Sequence, residues 1–335
     1  MKYKYDFKFW AGISISLFFM ILLFRKMDFN QLASALKTMD YRFLLPALLL
    51  TFASYFLRAV RWKFLLIKEK NIPLSSLYPA TVIGYMANNI LPARLGEFVR
   101  TYTLAEKESL AIPSVFASLV IDRLFDGFTV LAMLLLTLFI MEFPAGMQDA
   151  ETAIRIGGVI TFAFYCAVII FLLILKHRTN STFFFVNKLM SPFPERIAER
   201  ISKILTSFIG GIRLSTKASH LLAIIGSSIF VWAFCVIPVD LILRSFSVNL
   251  PISASMFIMV LLVFAVMVPA SPGYIGTYHY ACFKALSVFD VPESAALSIA
   301  LVMHAMGFFP VIAAGFYYLW KNRLNLDELT SPAPE

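Results

Sequence analysis

The chain has 335 residues, 60% of them hydrophobic and only 15% charged, with a mean hydropathy of +0.80. That composition excludes a soluble globular domain and leaves no stretch with the length and polarity of a separate catalytic domain. The formal charge of +9 reads as basic residues on cytoplasmic loops rather than as a nucleic-acid footprint. Cys166, Cys235 and Cys282 sit in apolar runs at irregular spacing, so no zinc site or disulfide framework is indicated, and neither metal nor cofactor is expected.

In chain order, Lys2, Lys4 and Lys8 lead into an apolar stretch that ends at Arg25-Lys26 without a convincing cleavage site; it reads as a retained first helix, 7–24. A short interfacial helix, 29–40, follows. Further apolar runs at 43–67, 112–140, 154–175, 219–244 and 294–320 are each long enough to span, since a crossing needs ~20 residues at ~1.5 Å each. Two other apolar stretches, 76–108 and 253–289, are interrupted by Pro92 and Pro272. Proline removes a donor and obstructs the preceding turn, so these read as helical hairpins that either span or re-enter. The expected fold is all-α: a polytopic membrane bundle of six spanning helices plus two broken hairpins, forming a single transmembrane domain.

Lysine and arginine counts set the orientation. The connection 176–218 carries eight, whereas 141–153 carries none and holds Glu142, Asp149 and Glu151. The former is therefore cytoplasmic, the latter outside, and both termini of this multi-pass cell-membrane protein lie inside. Residues 28–175 and 219–320 then form two halves in which span-hairpin-span occurs with opposite polarity, an inverted repeat whose broken tips meet near the midplane. The linker 176–218 has an amphipathic stripe, Ile197 to Ile212, suited to a membrane surface or a partner.

Arg58 and Arg61 stand three apart on one helical face, either snorkelling to the interface or clamping an anionic headgroup through bidentate donors. After Pro92, Arg94, Glu97 and Arg100 recur at three-residue spacing on a new helix whose free amides suit a phosphate; a purely structural ladder is the other reading. Asn88 and Asn89 are placed to satisfy backbone groups stranded by the break. Asp122, Arg123 and Asp126 lie within the third long run, where ionisable residues face a bundle interior or a wet cavity. They form either a buried ion network or a protonatable site. At the second break, Ser271, Gly273, Gly276 and Thr277 offer hydroxyls and close backbone approach, and His279 is the nearby group that titrates near neutrality. Asp240 and Arg244 read as a local pair and His304 as a packing residue rather than a relay. No nucleophile–base set, P-loop or metal motif is visible, so no enzyme activity is expected.

At Arg58-x-x-Arg61-Trp62, Asn89-x-Leu91-Pro92-Ala93-Arg94-Leu95-Gly96-Glu97-x-x-Arg100, Asp122-Arg123-x-x-Asp126 and Pro269-x-Ser271-Pro272-Gly273-x-x-Gly276-Thr277, the chain resembles the flippase-like transmembrane domain of lysylphosphatidylglycerol synthases and of stand-alone bacterial and archaeal membrane proteins. The resemblance implies movement of a polar-headed lipid between leaflets. With Glu335 as the last residue, no aminoacyl transfer is expected of this polypeptide. Where the family commonly shows a second glycine and then an acid, this chain has Tyr274 and Tyr278-His279.

The expected function is thus a flippase or transporter for an anionic or polar-headed lipid, whether phospholipid, aminoacyl-phospholipid or polyprenyl phosphate. Arg58, Arg61, Asn88, Asn89, Arg94, Arg100, Arg123, Ser271, Gly273 and Thr277 would form its headgroup site, and Glu97, Asp122, Asp126 and His279 would be candidates for proton coupling. The alternatives are a membrane enzyme acting on lipid phosphates or lipid-linked sugars, and a lipid-binding subunit that does not transport.

Overall fold

The computed structural model describes residues 34, 36–67, 69–91, 94–141, 148–177, 203–204, 206–207, 217–267 and 272–322. The first predicted span, Pro92, Ser271, most of the linker 176–218 and its stripe apart from Ile204 lie outside the described residues.

Every regular element among the described residues is helical. In chain order they are α1 (Leu44–Leu66), α2 (Leu74–Ile90), α3 (Gly96–Glu108), α4 (Ile112–Ile140), α5 (Gln148–His177), α6 (Ala218–Ser245), α7 (Ile252–Met267), α8 (Thr277–Ser287) and α9 (Glu293–Asn322). Local chemistry sets the ends. Asp40 accepts the backbone N–H of Arg42 and caps a single 3-10 turn, Tyr41–Phe43, that leads into α1. Proline precedes α2 at Pro73 and occupies the first turn of α4 at Pro113, where its missing N–H costs nothing. Ser109, in a left-handed conformation, ends α3 by returning its N–H to that helix's last carbonyls.

Among the described residues, four helices are long and apolar enough to cross a membrane: Tyr41–Leu66, Ile112–Ile140, Ala218–Ser245 and Glu293–Asn322. The protein is an all-α, polytopic bundle. The runs expected at 43–67, 112–140, 219–244 and 294–320 fall on these four, and the run at 154–175 lies within α5. Both proline-bearing stretches are divided as read from sequence, into α2 and α3 and into α7 and α8. With 17, 13, 16 and 11 residues, these segments are individually short for a crossing of ~30 Å at ~1.5 Å per residue.

α1 packs along α6, and α2 lies between α3 and α9. One core joins α6 to α9 through Leu243, Phe257, Leu286 and Ala300; another joins α1 to α4 through Trp62, Leu77, Leu104 and Leu119. Close approach at the first break depends on absent side chains. A Cβ at Gly96 would collide with the Gly84 carbonyl, and one at Gly84 would meet Arg100 Cβ at 2.7 Å. This contact sets α3 tightly against α2 and turns Arg100 inward.

Candidate functional site

A helix break inside apolar surroundings strands backbone donors and acceptors, each of which needs a partner. Here several of the partners come from the opposite break. The Tyr274 hydroxyl, beside Gly273, donates to the Asn88 carbonyl in the last turn of α2 at 3.2 Å. Arg94, just before α3, reaches the Val266 carbonyl in the last turn of α7 at 3.4 Å, and its guanidinium carbon lies 5.9 Å from the Tyr274 ring centre. Within the first break, Asn88 Oδ1 accepts the Gly96 N–H at 2.9 Å and so caps α3. Both breaks hold a non-glycine residue at positive φ, Arg94 at 56° and Tyr274 at 56°. Side chains are strained in that region, and such residues cluster at functional sites. Here the two strained residues face each other.

Below the first break lies an ion network. Arg58 donates to Asp126 Oδ2 at 2.7 Å; Arg61 donates to Asp122 at 2.7 Å and to Asp126 at 2.8 Å; Arg100 donates to Asp122 at 3.2 Å. Arg123 pairs with Asp126 at 3.0 Å and with Glu97 at 3.3 Å. Four guanidinium groups thus meet three carboxylates, leaving one positive charge in excess. Neutral groups complete the shell. Ser228 accepts from Arg61 at 3.0 Å, Trp232 Nε1 donates to Asp126 at 3.2 Å, and Trp62 Nε1 donates to Ser118 at 2.9 Å. Arg58 sits 5.4 Å from the ring centres of both Tyr85 and Trp232, and Arg100 lies 3.9 Å from that of Trp62, in cation–π range.

The network has a depth profile. The side chains of Arg58, Arg61, Arg100, Asp122 and Asp126 are at most 8% exposed, whereas Arg123 is 34% and Glu97 24% exposed, and Arg94 is open. Carboxylates this deep persist only when well paired, because the desolvation cost of each ion is several kcal/mol. The deep groups can fasten α1, α3, α4 and α6; the rim groups can meet something from outside. Among the described residues, two buried donors of Arg100, Nε and one Nη, and one buried oxygen of Glu97 have no hydrogen-bond partner.

The structure brings together Arg58, Arg61, Arg100, Asp122, Arg123, Asp126 and Glu97, and places Asn88 and Arg94 beside the second break. Asn89 lies half-buried on the last turn of α2, Pro272 opens a single 3-10 turn, and Gly273, Gly276, Thr277 and His279 are buried around the second break. An Arg94–Glu97–Arg100 ladder does not form. Arg94 precedes the helix in a left-handed conformation and so leaves the register that would align it with Glu97. Ser228, Trp232 and Tyr85 also join the site, although the sequence reading does not single them out. The i, i+4 spacing of Ser228 and Trp232 on one face of α6 was the available signal. His304, read as a packing residue, is hydrogen-bonded to His279 and to the Gly273 carbonyl. Beyond the polar groups, apolar clefts of about 460 and 290 Å³ run beside α4, sharing Leu134 and Gly158 in their walls.

Residues 9–315 match the family described as the lysylphosphatidylglycerol synthase TM region. The chain belongs to this family. Among its relatives is the glycosyltransferase AglD of Haloferax volcanii, 23% identical over 97% of this chain; the chain spans only 56% of that protein's length. A UPF0104 membrane protein of Methanothermobacter thermautotrophicus is 25% identical over 85% of this chain and 87% of its own. A UPF0104 membrane protein of Methanocaldococcus jannaschii is 25% identical over 71% of this chain and 96% of its own. No solved structure matches the chain.

Proposed function

We propose that this member of the family moves an anionic or polar-headed lipid between leaflets, with the headgroup held where the two breaks meet and the tails left in apolar surroundings beside α4. The observation that carries the reading is the junction itself: two strained, mutually stitched breaks beside a positive cluster with unfilled guanidinium donors. Irregular backbone at membrane depth is tolerated where it lines a wet cavity, and paired broken helices mark binding sites in transporters. Arg94 and Arg123 at the rim, with the free donors of Arg100 behind them, are the groups for phosphate oxygens. Arg58 and Arg61 hold that cluster in place. In the same reading six spans and two hairpins form an inverted repeat, the linker 176–218 faces the cytoplasm with both termini, and transport is coupled to protons.

The test is leaflet exchange of a labelled anionic phospholipid by the purified protein in proteoliposomes. Arg94→Ala is expected to slow exchange by about tenfold, the loss of one charge-assisted contact, while thermal stability falls by no more than the ~0.5–1.5 kcal/mol of its own bond to the Val266 carbonyl. Exchange by the wild type no faster than in protein-free vesicles, or a wild-type rate in the variant, overturns the reading. The name of the Haloferax volcanii relative, a glycosyltransferase of which this chain spans only 56%, favours a second one, an enzyme that transfers a sugar. Product formed from a polyprenyl phosphate by the purified chain would support it.

A further inference from the structure

The second break has its own hydrogen-bond chain. The backbone N–H of Gly276, the residue before α8, donates to His279 Nδ1 at 3.3 Å; His279 Nε2 and His304 Nδ1 are 3.1 Å apart; His304 Nε2 is 2.7 Å from the Gly273 carbonyl. The ends of this chain fix its protons. An amide can only donate, so His279 Nδ1 accepts; a carbonyl can only accept, so His304 Nε2 carries a hydrogen. With both rings neutral, His279 Nε2–H then donates to His304 Nδ1, and every member is satisfied.

An added proton has no such place. On His304 Nδ1 it faces the Nε2–H of His279. If His279 yields that hydrogen and takes one on Nδ1, two N–H groups face each other at Gly276. His279 is the third residue of α8 and reaches back to cap the helix start, and a cation there opposes the helix dipole. The backbone it holds runs at positive φ: Gly273 at 75° and Gly276 at 92°, where glycine sits readily, and Tyr274 at 56°, where a side chain is strained.

We propose that the His279–His304 pair is a proton-binding clasp: neutral, it closes the second break; protonated, it releases the Gly273–Gly276 turn and with it the contact of Tyr274 to the first break. As a coupling site this rests on the transport reading above. It also relocates the coupling proton away from Asp122 and Asp126, each of which is held by at least two guanidinium groups. Among the described residues, the groups around the pair are Tyr278, stacked on His304 at 4.9 Å, Phe308 at 5.3 Å from His304, and the Cys282 thiol, turned to Met303. α7 contains no titratable residue, and neither imidazole has an ion pair among the described residues.

The test is hydrogen exchange of the Gly276 segment in the full chain in lipid nanodiscs between pH 8 and 5, corrected for intrinsic chemical exchange. Protection should fall about tenfold on acidification. In His279→Gln, whose amide still caps Gly276 but does not titrate, protection should stay flat; His304→Gln serves as a second variant. Wild-type protection that ignores pH, or a fall of equal size in both variants, overturns the clasp. Leaflet exchange measured on the same proteins separates the two claims. A titrating clasp with no lipid movement at any pH refutes transport alone. Lipid movement whose pH profile survives both substitutions refutes the clasp as the coupling site alone.

Discussion

The break between α2 and α3 lies against four guanidinium groups and three carboxylates, whereas the break between α7 and α8 is closed by two imidazoles and a phenol. Both meet the same demand, partners for backbone groups where a helix stops inside apolar surroundings, by opposite means. Charge gives the first break strong fastening, because each buried ion left without its partner is costly. The second is held by single bonds, neutral but for the exposed Arg94 contact to the Val266 carbonyl, around the strained Tyr274 backbone, so small changes act on it. One break anchors and the other yields.

Substitution at the anchored break should have the largest effect. Asp126→Asn leaves guanidinium groups buried without their charge partner, for an expected loss of ~3–5 kcal/mol, read as a fall in melting temperature in detergent. An unchanged melting point would mean that the ion network fastens nothing. Gly96→Ala comes next. Its Cβ meets the Gly84 backbone carbonyl as well as the Asn88 side chain that caps α3, which predicts a loss of ~1–3 kcal/mol and a widened α2–α3 crossing. At the yielding break, Tyr274→Phe removes one hydroxyl from the Asn88 carbonyl, worth ~0.5–1.5 kcal/mol; denaturant unfolding of the two variants side by side would rank the breaks.

The smallest effect belongs to Lys70 and Glu108, 2.8 Å apart at the open ends of the first hairpin. The Lys70 ammonium, and next the Ser76 hydroxyl, hold the Glu108 carboxyl below its usual range. The contribution is therefore full above the ordinary carboxylate range and is lost as pH falls through the lowered value. Lys70 is about half exposed, so Lys70→Ala should cost no more than ~1 kcal/mol, with the difference from wild type vanishing in acid.

How much of this was legible in the sequence follows from the range of each signal. Apolar runs and proline breaks are local, and they located α1, α4, α6 and α9 and both interruptions within a few residues. The three-residue spacing of Arg94, Glu97 and Arg100 misled, because it assumes helical geometry that begins only after Arg94. Partner choice was the least visible. Arg61 finds Asp122 across 61 residues and Ser228 across 167, and His279 finds His304 on another helix; no spacing rule reaches that far. The pairing of Arg123 with an acid was foreseeable, because Asp126 is three residues on along the same helix.

The central claim is that the two breaks meet. Arg94→Cys and Val266→Cys, introduced together in a chain lacking Cys166, Cys235 and Cys282, can be probed in native membranes with a short bifunctional thiol reagent. Near-complete intramolecular cross-linking, sensitive to Tyr274→Phe, is the expected result; absence of the cross-link in a folded chain would place the breaks apart and contradict the account.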